Sequence, residues 1–209
     1  MARQREFDHD VALDRAMAAF WAKGYEATSI EDLVARMGIQ RGSLYGAFGD
    51  KQALFLAALD RYERVVVQDL FDALETPGSG TEAIRRFFRL RVEGSLERRR
   101  PLGCLLTNSA VELSRRDPGA AAKVGTSLAK LEQAFLRALE RARDAGELEA
   151  TRDLRPLARF LTSSAQGLSV IAKVAPERAV LEDIVAVILS VLERERPVPR
   201  RRRRHAASR

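Results

Sequence analysis

Within residues 28 to 51, Thr28, Ser29, Gln40, Arg41, Ser43, Tyr45 and Lys51 share one chemistry: each can donate a hydrogen bond to an oxygen-rich partner. Arg41 carries a planar fork that grips guanine through two bonds, and Gln40 and Ser43 are second choices for base edges. Thr28, Tyr45 and Lys51 suit phosphate oxygens, which set register rather than sequence choice, with Ser29 beside Thr28. Gly42 and Gly46 fall opposite the apolar anchors Leu44 and Phe48 on a helical wheel. The outward face then has almost no bulk, and backbone can approach a groove closely.

These side chains need two short helices and a sharp turn to hold them. Thr28 with Glu31 three residues later predicts a capping box. Ile30, Leu33, Val34 and Met37 form one apolar stripe at helical spacing, and Gly38 predicts a left-handed stop. A second helix starts at about Gln40, and Asp50 caps a third that begins at Lys51. A helix-turn-helix of this kind places its second helix in the major groove of DNA.

Outside that segment reactive side chains are sparse. Cys104 is the single cysteine, so no intrachain disulfide or cysteine-based metal cluster is expected. His9 and His205 stand near opposite ends, which argues against zinc, and no cofactor is expected. No nucleophile–base pair or phosphate loop supports an enzyme. No apolar run reaches about 18 residues, so no membrane span is expected. The opening Met-Ala-Arg-Gln-Arg-Glu lacks an apolar signal core, and the expected location is the cytoplasm.

The formal net charge of +7 is localised. Eight arginines and one glutamate stand in residues 194–209, and the remaining 28 basic and 28 acidic residues balance. Two prolines and a like-charge block predict a disordered tail. Such a tail attracts phosphate without sequence choice. An architectural DNA-binding protein acting through it is the alternative reading.

The rest reads as all-α. The expected helices run from about Asp8 to Lys23, Lys51 to Leu74, Thr81 to Glu97, Cys104 to Arg115, Ala120 to Ala145, from Asp153 through Ala172, and from near Pro176 onward. Phe87, Phe88, Phe135 and Phe160 read first as plain core. The last two helices carry wide apolar stripes, with Leu161 and Leu168 on one and Ile184, Ile188 and Val191 on the other. A stripe covering more than half the wheel must bury two sides, one in its own domain and one against a second chain. The expected division is a DNA-binding head over residues 1–62, a regulatory and dimerisation domain over 63–193, and the tail.

The run from Gly38 to Lys51, with the upstream stretch Met17 to Ile30, resembles the signature of the tetracycline-repressor (TetR/AcrR) family of bacterial transcription regulators. The resemblance covers about the first sixty residues. Gly46-Ala47 departs from it, since the family often has bulkier residues there, and Gln40 replaces a frequent serine or threonine cap. The resemblance implies a homodimer on a double-stranded, palindromic operator, most often as a repressor released by a small-molecule inducer. It implies an inducer cavity lined by the middle helices, with Phe87 and Phe135 as walls and Asn108, Glu112 and Gln166 as polar contacts. Gly103-Cys104-Leu105 with the segment Gln166 to Lys173 resembles a subgroup that senses electrophiles or oxidants, in which Cys104 and Lys173 would be the sensing pair. Arg98, Arg99 and Arg100 precede that cysteine in sequence.

Overall fold

The structure, a computed structural model, describes residues 7–97 and 102–193. Local chemistry sets the element ends. Helix α1 (His9–Lys23) starts where the Asp8 carboxylate accepts the Asp10 and Val11 amides, and it stops at Gly24, whose φ of +86° favours glycine. Helices α2 (Ile30–Met37), α3 (Arg41–Phe48) and α4 (Lys51–Tyr62) complete a compact head. Gly38 is left-handed as expected, and Asp50 caps α4 by accepting the Ala53 amide at 2.7 Å.

The capping box of α2 lies one residue later than the sequence suggests. Ser29 Oγ accepts the Asp32 amide at 3.0 Å, and the Asp32 carboxylate accepts the Ser29 amide at 3.1 Å. Thr28 is unavailable because its hydroxyl turns inward and donates to the Gly24 carbonyl at 2.6 Å.

The long fourth helix is interrupted. Glu63–Val67 form a π-helical turn, and α5 (Gln68–Glu75) continues beyond it. Tyr62 and Val67 are both buried. In an uninterrupted α-helix residues five apart would point about 140° away from each other, so the wider turn lets both reach the core.

The second half consists of α6 (Gly80–Leu96), α7 (Leu105–Leu113), α8 (Pro118–Asp144), α9 (Leu154–Val174) and α10 (Arg178–Ser190). Their ends differ from expectation by a few residues, and side chains explain several shifts. Ser79 caps α6, Asp117 caps α8 ahead of Pro118, and Cys104 is the residue before α7 rather than its first turn. At the start of α6, Gly80 lies directly on α8. A Cβ there would come within 2.0 Å of the Ala138 carbonyl oxygen and 2.6 Å of the Ala142 amide.

Two hydrophobic cores result. One gathers α1 to α4 and takes in Leu105, Leu106 and Leu113 of α7 and the start of α8. The other packs α5, α6, α8, α9 and α10 around Phe87, Phe88 and Phe135. Phe160 is not core: it is 43% exposed on α9. Among the described residues there is no strand, and no helix is long and apolar enough to cross a membrane. Residues 98–100 and the arginine tail lie outside the described residues.

Candidate nucleic-acid interface and regulatory cavity

Helix α3 stands on Leu44, which is fully buried, and turns Gln40, Arg41, Gly42, Tyr45 and Gly46 outward. A Cβ added to Gly42 or Gly46 would meet nothing within 4 Å, so this face is open. Gln40 begins the helix without a side-chain capping bond, which leaves its amide free for other work. Arg41 donates to Glu31 at 3.0 Å and lies 5.9 Å from the Tyr45 ring centre. Exposed pairs of this sort contribute little net stability, so a base edge can displace Glu31. Lys51 sits at the start of α4 with its ammonium 4.4 Å from the Tyr25 ring centre. Ser43 is half-buried and Ser29 exposed, although the Ser29 oxygen is engaged in the capping box. Thr28 has to be removed from the phosphate contacts, because it is fully buried.

The middle of the molecule holds a cavity of about 430 Å³. Its wall includes Trp21 of α1, Tyr62 and the π turn, Arg91 of α6, Cys104, and Ser169 of α9. Trp21 donates its indole N–H to the Gly103 carbonyl at 3.2 Å and meets the Tyr62 ring edge-on at 4.8 Å. Burial pushes the Cys104 thiol up, but Arg91, the Thr107 amide and the Tyr62 and Thr107 hydroxyls outweigh it and hold the thiol below its ordinary range. Tyr62 moves the other way: burial beside Cys104 raises its hydroxyl well above the usual value.

Two family models match the chain: bacterial regulatory proteins of the tetR family over residues 12–58, and a tetracyclin repressor-like C-terminal domain over residues 80–188. The HTH-type transcriptional regulator YezE of Bacillus subtilis (strain 168) is 41% identical over 194 residues, which is 92% of this chain and all of that protein. The chain belongs to the TetR family. The HTH-type transcriptional repressor ComR of Escherichia coli (strain K12) is 33% identical, with 88% of this chain and 87% of ComR covered. Among solved structures, a cysteine mutant of the TetR family regulator CifR, complexed with 26-bp double-strand operator DNA, superposes with a TM-score of 0.83 at 33% identity. That match covers 90% of this chain and 98% of the CifR chain.

As a TetR-family protein the chain is a DNA-binding transcription regulator, but several of its expected regulatory residues sit elsewhere. Phe87 and Phe135 form a closed aromatic cluster with Phe88, with ring centres 4.8–6.0 Å apart, and are not part of this cavity's wall. The Glu112 carboxylate faces the head, accepting the backbone amides of Tyr25 at 3.0 Å and Glu26 at 2.8 Å. Gln166 accepts the Thr107 hydroxyl at 2.6 Å, and Asn108 accepts the Lys173 ammonium at 3.3 Å. Lys173 is thus engaged by Asn108, and the cation acting on the thiol is Arg91. A signal for Arg91 was present in the sequence, since it falls in phase with Ile84, Phe87 and Phe88 on the buried stripe of α6.

The dimer residues also divide. Leu161, Leu168 and Ile188 are buried within their own chain, and Ile184 and Val191 pack partly against the same core. The outward apolar side chains are Phe160, Val170, Ile171 and Val174 on α9 and Val187 on α10.

Proposed function

We propose that this TetR-family protein is a cytoplasmic homodimeric repressor rather than an enzyme, and that an inducer or reactive molecule in the cavity releases it from a palindromic operator. The observation that carries this reading is the bulk-free outward face of α3, held on Leu44 with Arg41 at its first turn. Residues 1–62 read the DNA, and residues 63–193 pair the chains and receive the signal. The exposed apolar strip on α9 and α10 is the pairing face. Footprinting of the purified dimer on selected genomic fragments tests the proposal, and protection of no symmetric site would defeat it.

Arg41→Ala is expected to relax base choice at one position per half-site and weaken operator binding by about 1–3 kcal/mol, whereas Tyr45→Ala weakens binding evenly across sequences. Binding competition over single-base operator variants checks this. An unchanged preference would remove Arg41 from base reading.

Cys104 is the proposed sensing group. A thiolate there attacks hypochlorite, passing two electrons to the oxidant, releasing chloride and leaving a sulfenic acid. Helix α7 connects this event to the head, because it begins beside Cys104 and ends in the Glu112 clamp on the turn between α1 and α2. Cys104→Ser is expected to bind operator normally and stay bound after oxidant. Dose curves for operator release that coincide with wild type would make Cys104 ordinary packing.

A further inference from the structure

We infer that the cavity is an anion site: it takes a small organic molecule with an acidic group, which Arg91 anchors at the inner wall. This inference rests on the reading of the cavity as the signal site and specifies what enters it. Arg91 is half-buried on α6. Its Nε donates to the Ala165 carbonyl at 3.0 Å, and one terminal nitrogen donates to the Ser169 hydroxyl. The guanidinium also lies 6.0 Å from the Phe87 ring centre. These contacts are to neutral groups and engage only two of the five N–H donors of the fork among the described residues. Among the described residues no carboxylate lies within ion-pair distance of Arg91, although Arg61, Arg137 and Arg178 each have at least one.

While Cys104 is a neutral thiol, this partly desolvated cation has no counter-ion, and an entering anion removes that cost. The acidic residues of the same wall do not fill the role. Glu93 is held by both terminal nitrogens of Arg178 at 2.7 and 2.8 Å, and Asp69 and Glu97 are exposed to solvent. Exposed charges are screened, so the inner wall sets the preference. Val66, Leu70, Leu102 and the Trp21 face supply an apolar bed for the rest of the molecule. The volume of about 430 Å³ falls in the range of small-ligand pockets.

Cys104 provides a reporter, because it is the sole cysteine and lines the same wall. Methanethiosulfonates transfer a short thiol group to a thiolate: a disulfide forms and methanesulfinate leaves with the electron pair. The full-length protein is treated with three such reagents, bearing sulfonatoethyl, trimethylammonioethyl or methyl groups. Rates are measured by mass spectrometry and divided by those for free cysteine.

The expected result is a sulfonate-to-ammonium ratio of roughly ten in the wild type, given charges a few ångströms apart in a partly screened site. Arg91→Lys retains the preference. Arg91→Gln brings the ratio to about one or below. The loss of Arg91 also changes thiol ionisation, but that alters all three rates alike and cancels in the ratio. A merely structural arginine would leave the ratio unmoved. A ratio near one in the wild type, a ratio unchanged in Arg91→Gln, or a Cys104 inert to all three reagents would overturn the anion site. Operator release is scored separately, so a strong charge preference without release would keep the anion site and refute its role as the signal site.

Discussion

Replacing both Phe160 and Val187 with aspartate is expected to yield a folded monomer that holds its operator far more weakly. The two side chains are 43% and 70% exposed in the single chain, and Val170, Ile171 and Val174 of α9 are exposed as well. Apolar surface of this kind needs a cover. Ser163 and Gly167 lie along the same exposed stretch of α9 and allow close approach of a second helix. Two aspartates per chain place four charges in the contact with nothing to neutralise them, which an apolar interface does not tolerate. Each chain would then bind its half-site alone, and affinity for the full palindrome falls by on the order of 10²- to 10⁴-fold. Sedimentation gives the mass and fluorescence anisotropy the affinity. An intact dimer would show that the chains pair elsewhere. The pair Ile184 and Ile188 is a poorer choice for this experiment, because Ile188 is 5% exposed and its replacement attacks the chain's own core.

Gly80→Ala is expected to cause the largest loss of stability from a single methyl group. The added carbon meets main-chain atoms of Ala138 and Ala142, and α8 backbone cannot swing aside as a flexible side chain would. Overpacking of this kind destabilises by about 3 kcal/mol. For a chain of this length that lowers the melting temperature by roughly 6–12 °C. Gly42→Ala serves as the control, since its Cβ enters open space. Equal melting temperatures for the two variants would mean that α6 and α8 are not packed as described.

The head and most helix ends were legible because glycines, capping carboxylates and apolar spacing act locally. What escaped depends on distant partners. Thr28 and Ser29 are neighbours with similar hydroxyls, and only the position of the Gly24 carbonyl decides which one turns inward and which one caps α2. The π turn is invisible to a 3.6-residue period, which reads straight through it. A stripe as wide as that of α10 announces two buried sides without saying which half faces its own chain, so Ile188 and Val187 exchange roles. Glu112 looked like a cavity residue because it lies on a middle helix. Its true partners are two backbone amides more than eighty residues away, and amides leave no trace in side-chain pattern.

The sharing of Leu105, Leu106 and Leu113 with the head has a consequence for building chimaeras. A DNA-reading segment cut after residue 62 leaves behind the leucines that close its core and the carboxylate that pins its first turn. Transplanted alone onto another regulatory body, it arrives with an open seam. The unit that can be moved is the head together with α7, and the specificity of the reader is inherited along with the helix that carries the Glu112 clamp.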